Sequence, residues 1–194
     1  MKRVMVALSC ALALSACSVE PPPAATTNQG KPKSTMTAAQ QKALEAQDTL
    51  ASYAGYGATR FGMNEAMFRA AWQADLVGTI DPAGDCSLLQ PAWEKTLANF
   101  DFMFQHGQFV RYDVGTAKEI APGGGKVGMN VEQIRALYGS GLQVSPHKYR
   151  QNEQYLRIAD GKESVLLFET DTSGHVSRWR VGIPPQVDNG DGCL

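Results

Sequence analysis

The chain has 194 residues, 43% hydrophobic and 19% charged, with 18 Lys and Arg against 19 Asp and Glu for a formal net charge of −1. That length is ample for a buried core. A near-neutral balance without a clustered basic stretch excludes a nucleic-acid footprint.

Lys2 and Arg3 precede the apolar run VMVALSCALALSA, residues 4–16. The run is short for a membrane span and closes on small residues, so residues 1–16 read as a secretory signal peptide. Leu14-Ser15-Ala16-Cys17 resembles a bacterial lipobox, in which cleavage leaves Cys17 first in the chain with lipid on its thiol. The resemblance implies a chain anchored to a membrane rather than spanning it, at roughly 0.8 kcal/mol per buried methylene. Residue 18 is Ser and not Asp, which by similarity to Gram-negative lipoproteins favours the outer membrane. Loss of Lys2 and Arg3 leaves 16 basic against 19 acidic residues, or −3.

Cysteine use follows. Cys10 leaves with the signal and Cys17 is lipidated, so Cys86 and Cys193 remain. In an oxidising compartment two thiols are expected to pair. Such a bridge closes a loop of roughly a hundred residues, worth about 4–5 kcal/mol of chain entropy. A zinc site fails on ligand count, because no other Cys and no close His accompanies either one.

Residues 17–36 form the lipidated Cys and a tether: SVEPPPAATTNQGKPKSTM is rich in Pro, Thr, Ala and Ser and poor in large apolar residues. A lead-in helix is expected over 37–54, where Thr37 and Gln40 are spaced as a capping box.

Beyond it the chain repeats itself. FGMNEAMFRAAW, residues 61–72, returns as VGMNVEQIRALY, residues 127–138. Asn64 and Asn130 are placed to cap the two helices, with Gln133 completing a box in the second. Met67, Phe68, Ala71 and Trp72 give the first helix an apolar stripe, and Val131, Ile134, Leu137 and Tyr138 the second. Downstream, GQFVRYDVG (107–115) aligns without gaps to GHVSRWRVG (174–182), each after an apolar run, FDFMF and SVLLFE. An apolar run, a Gly-bearing turn and an alternating run make a hairpin. Two signals at offsets of 66 and 67 indicate an internal duplication. The fold expected is α+β: two tandem helix-plus-antiparallel-sheet repeats, 55–115 and 124–182, packed as one body. A disulfide-pinned tail, 183–194, follows.

A Gly-Met turn, a polar cap, an amphipathic helix and antiparallel strands resemble the repeat of the β-lactamase inhibitor protein. They are also similar to the small outer-membrane assembly lipoproteins of the SmpA/OmlA type. The match covers roughly residues 55–182. This chain departs from the single-repeat lipoproteins in having two copies, and from the secreted inhibitor in carrying a lipobox. PHKY (146–149), LLFETD (166–171) and the final Gly192-Cys193 look like envelope proteins labelled lectin-like.

No catalytic set assembles from the sequence. His106 and His175 flank the hairpin turns, where polar residues belong. No Ser lies in a Gly-x-Ser-x-Gly elbow, and no Cys is left as a nucleophile. Glu169 and Asp171 read as a solvated hairpin end. ETDTSG (169–174) fails as a calcium loop because Arg180 stands at its twelfth position. PGGGK (122–126) is followed by Val127 where a phosphate loop needs Ser or Thr, and reads as a flexible connector. No metal or cofactor is expected.

Binding is the remaining class. Alternation puts Val110, Tyr112 and Val114 on one sheet face and Phe109, Arg111 and Asp113 on the other. In the second copy it separates His175, Ser177, Trp179 and Val181 from Val176, Arg178 and Arg180. If the arginine face is open it suits a protein or an anionic glycan; if it is covered, the arginines mean little. Pro146, His147, Lys148 and Tyr149 form an extended polar segment or a reading surface. The candidate surface is therefore Arg111, Tyr112, Pro146, His147, Lys148, Tyr149, Arg178 and Trp179. The expected function is non-catalytic binding of an envelope or secreted protein, as scaffold, inhibitor or immunity factor. The alternative is glycan or peptidoglycan binding, favoured if Trp93 or Trp179 is exposed beside His147.

Overall fold

A computed structural model of the chain describes residues 50–78, 80, 84–190 and 192–193. The expected signal peptide, Cys17, the tether and residues 37–49 of the lead-in helix lie outside them. At the end of that expected helix, Ala51–Ser52 is instead strand β1, which pairs antiparallel with β2 (Gly55–Tyr56).

The elements then run α1 (Glu65–Trp72), β3 (Leu76–Val77), β4 (Cys86–Pro91), β5 (Phe100–Gln105) and β6 (Gln108–Val114). After α2 (Val131–Tyr138) and a short 3-10 turn come β7 (Gln143–Pro146), β8 (Gln154–Ala159), β9 (Val165–Thr170) and β10 (Val176–Gly182). A last 3-10 turn, Gln186–Asp188, sits in the tail.

Eight strands form one antiparallel sheet in the order β3-β4-β5-β6-β10-β9-β8-β7. This corrects the expected α+β pair of repeats. Among the described residues the chain is mostly β, with two α-helices of eight residues each. The duplicated segments do not close as separate helix-plus-sheet units, because β6 and β10 pair with each other from Trp179↔Val114 to Gly182↔Arg111. Unpaired backbone along β6 and β10 would expose a row of orphan hydrogen-bonding groups, and pairing them removes both edges at once.

The duplicated motif does a local job twice. Gly62 N–H donates to Phe109 C=O at 2.8 Å and Phe109 N–H to Met63 C=O at 2.9 Å; Gly128 and Val176, then Val176 and Met129, repeat this at 2.8 Å each. Each Gly-Met turn is thereby tied to the start of a hairpin strand. Asn64 and Asn130 form the bridges next to it, to Gln108 and His175.

From there each Asn caps its helix as the spacing predicts. Asn64 Oδ1 accepts from Met67 N–H at 3.0 Å, and Asn130 Oδ1 from Gln133 N–H at 2.9 Å, with the Gln133 side chain closing the box. Asn130→Ala is expected to cost about 1 kcal/mol in urea unfolding, and Asn130→Ser little.

The tie also shifts the strand faces. A register irregularity falls between Met103 and Phe104 in the β5–β6 pair and between Val176 and Arg178 in β10–β9. Phe109 and Val176 consequently join Tyr112, Val114, Trp179 and Val181 in the core, against the simple alternation expected for them. A bulge inserts one residue and re-aims everything before it.

The core lies between the helices and this face. Phe68 of α1 meets Phe102, Phe104 and Phe109 edge-on at 4.9–5.1 Å. Ile134 of α2 is fully buried in the same cluster.

The PGGGK stretch is no loose connector. Tyr138 Oη donates to Pro122 C=O at 2.8 Å and accepts from Gly125 N–H at 3.0 Å. A Cβ on Gly125 would stand 2.4 Å from the Phe168 ring, so glycine is required by close approach there.

Candidate functional site

The sheet face away from the helices is charged. Register places Asp101 of β5 opposite Asp113 of β6, and Asp113 opposite Arg180 of β10. Arg111 lies beside them across from Met103, and Arg178 pairs with Glu169 of β9.

This face is not open. The tail lies over it, with Val187 buried against Val165 and Leu167. Arg111 Nη1 donates to the carbonyls of Gln186 and Asn189, and Arg180 Nε to that of Val187, each at 2.6 Å. The expected Cys86–Cys193 disulfide is present, with Cα atoms 5.3 Å apart, and it holds the tail's end to the first residue of β4.

Charges beneath the tail form a connected network. Arg111 Nε donates to Asp113 Oδ2 at 2.6 Å, and Arg178 Nη2 to Asp113 Oδ1 at 2.9 Å. Arg180 Nη1 is ion-paired with Glu169 Oε1. His147 Nε2 stands 3.9 Å from Glu169 Oε2. Its Nδ1 accepts from the N–H groups of Tyr149 and Arg150, both at 3.1 Å.

Several expectations are corrected by this arrangement. Arg111, Tyr112 and Trp179 are buried and form no exposed surface. Tyr112 instead donates from its hydroxyl to Ser52 C=O at 2.8 Å. Glu169, expected at a solvated hairpin end, is buried beneath Arg180. His147 is buried and stacks on Tyr155 at 4.4 Å, while Pro146, Lys148 and Tyr149 around it stay exposed. Arg178 reaches the surface with part of its side chain.

Three groups in the network keep an unmatched atom. Asp101 is 5% exposed, and its Oδ1 has no hydrogen-bond partner among the described residues; nor have Nε of Arg178 and Nη2 of Arg180. Burial, reinforced by the Asp113 charge, pushes the Asp101 carboxyl up to about 8, although Arg111, Arg178 and Arg180 pull the other way. At Asp113, burial also works upward, but the same three guanidiniums more than offset it and hold the carboxyl below its ordinary value. Asp101 lines a 210 Å³ cavity with Arg111, Arg178, Leu88, Leu97, Ala98, Gly190 and Gly192. Sequence reading missed Asp101. The signal was an acid inside the apolar run FDFMF, at a position alternating with buried phenylalanines.

A second feature lies on the helix side, at the β3–β4 edge. Ala92 N–H donates to Asp75 C=O at 2.9 Å, which fixes the start of the loop after β4. In that loop Trp93 is 62% exposed and stacks on Trp72 at 5.5 Å and 21°. Trp72 in turn stands edge-on to Phe102 at 4.9 Å. Val77 of the neighbouring β3 is 57% exposed. An indole is thus held out on a rigid aromatic stack rooted in the core.

Among the described residues no group of three or more His, Cys, Asp or Glu comes together to hold a metal ion. No helix among them is long and apolar enough to cross a membrane.

No family model matches the chain. No curated protein matches it either. Among solved structures it is similar to an extracellular protein containing a SCP domain from Bacillus anthracis str. Ames, at a TM-score of 0.41 and 12% identity. The likeness covers 63% of this chain and 44% of that one, so the chain spans less than half the length of that neighbour. At that distance neither its name nor its fold transfers.

Proposed function

We infer that the chain is a non-catalytic binding module, lipid-anchored at Cys17 in the bacterial outer membrane, that docks an envelope or secreted protein. The observation that carries the binding reading is the exposed Trp93, stacked on Trp72. Tryptophan is enriched among the residues that dominate protein–protein affinity, because it covers a large area while losing little freedom. Here the stack on Trp72 has already removed most of that freedom.

The glycan reading is favoured by an exposed Trp beside His147. Trp93 follows β4 and His147 follows β7, which are six strands apart in the sheet. At about 4.8 Å per strand that is roughly 30 Å. His147 is buried as well. The observation therefore favours a protein over a sugar.

The test is capture from the producing organism's detergent-solubilised envelope on the immobilised chain. Trp93→Ala is expected to weaken capture at least tenfold, a loss typical of a dominant interface residue. Protease treatment of the extract beforehand is expected to abolish capture. Capture that survives both treatments and elutes with sugar would make this a glycan-binding lipoprotein.

A further inference from the structure

We propose that the cavity beneath the C-terminal tail binds a small monocarboxylate, held between the guanidinium groups of Arg111 and Arg178 and the carboxyl of Asp101. This site is separate from the Trp93 surface and does not depend on it.

Charge matching leads to the ligand class. Among the described residues, Arg111, Arg178 and Arg180 face two acids as ion-pair partners, Asp113 and Glu169. Both Asp113 oxygens are taken, one by each of Arg111 and Arg178. Glu169 is taken by Arg180, with His147 on its other oxygen. While Asp101 is neutral, the cluster is left with one unmatched positive charge. The unpartnered Nε of Arg178 and the unpartnered Oδ1 of Asp101 both belong to residues lining the cavity.

A carboxylate supplies what is missing. It accepts from guanidinium N–H groups, for which its planar geometry is suited, and from the O–H of a neutral Asp101. A dianion such as phosphate would bring two charges against one. Leu88, Leu97 and Ala98 give the cavity an apolar wall for a short alkyl end, and Gly190 and Gly192 add no side chain. A cavity of 210 Å³ holds a ligand of a few heavy atoms.

The proposal fixes a pH dependence. Asp101 is faced by Asp113 and Arg111 from β6 and by Arg178 and Arg180 from β10. The described residues from β4, the following loop and the tail that line the cavity carry no charge. Asp191, between the two glycines in the chain, lies outside the described residues. Ionising Asp101 removes the O–H donor and cancels the unmatched charge, so binding weakens as pH rises through about 8. By linkage, an anion that prefers the protonated form raises the titration midpoint of Asp101.

The experiment follows the Asp101 carboxyl carbon by NMR through a pH titration of the intact chain, with propionate as probe. The midpoint is expected near 8 without propionate. With propionate at ten times its Kd, it is expected to rise by about one pH unit. Inorganic phosphate should leave it in place. Asp101→Asn should bind propionate without pH dependence between about pH 6 and 9, and Asp191→Asn should show the same shift as the parent. Arg178→Met should abolish the shift while Asp101 still titrates well above the ordinary aspartate value, which an unfolded chain would not show. A midpoint unmoved by about 0.1 M propionate, or moved equally by phosphate, overturns the proposal, as does loss of the shift in Asp191→Asn.

Discussion

Replacing Asp113 by Ala lowers the stability of the fold by about 3–5 kcal/mol, because the buried guanidinium of Arg111 and the partly exposed one of Arg178 lose their shared partner. Arg111 is buried with the carboxylate, and its Nε has Asp113 Oδ2 as acceptor at 2.6 Å. Arg178 uses the other oxygen. Removing the acid leaves three arginines with Glu169 and Asp101, and loss of the Asp113 charge lets the Asp101 carboxyl titrate lower. The buried pair need not add much net stability over an apolar pair, but one half of it without the other is costly. Acid reproduces the effect. Asp113 titrates below the ordinary aspartate value in the folded chain, so its contribution is complete above that value and is lost as pH falls through its lower folded one. Urea unfolding of the parent and of Asp113→Ala at neutral pH and in acid measures both. The variant should be the less pH-sensitive of the two in acid. A difference at neutral pH below about 1 kcal/mol would show that the network is not structural.

Breaking the Cys86–Cys193 bridge, by Cys193→Ser or by a dithiol reductant, is the second large effect. The bridge spans a sequence separation of 107 residues. Cross-linking a loop of that length contributes up to about 4–5 kcal/mol, and native bridges typically contribute 2–5. A fall in melting temperature on the order of 10 °C follows for a domain of this size. The loss has a particular structural address. The tail supplies three carbonyl acceptors to Arg111 and Arg180, and Val187 covers Val165 and Leu167. Amide exchange should therefore rise first at residues 183–190, ahead of β6 and β10. Uniform exchange across the sheet would place the effect in the unfolded chain alone.

Some of this was legible in the sequence, and the reason is local chemistry. Asn64 and Asn130 act through side chains three residues from their partners, so spacing alone predicts both caps. The hairpins β5–β6 and β9–β10 were readable for the same reason, and Cys86 and Cys193 were paired by elimination. The errors came from interactions between distant segments. Nothing local to GQFVRYDVG or GHVSRWRVG says that these two strands pair with each other, and that pairing turns two expected units into one sheet. Strict alternation failed at Phe109 and Val176 because the Gly-Met turns, over 40 residues upstream in each case, bind those two residues and force a bulge. The arginine face was predicted to be either open or under a helix, and a tail of ordinary polar composition covers it instead. Asp101 was hidden by its neighbours. An acid inside FDFMF is informative only once Arg111 and Arg178 are known to lie across the sheet.

The proposed binding surface shows the same limit. Helical periodicity places Trp72 on an apolar stripe, and nothing in the sequence places Trp93 on top of it. The most direct measurement is photo-crosslinking in the producing cell, with the photoreactive residue at position 93 and, separately, at position 149 on the far edge of the sheet. The account predicts a discrete protein adduct from position 93 and little or none from 149. Equal adducts from both positions, or none from position 93, would contradict it.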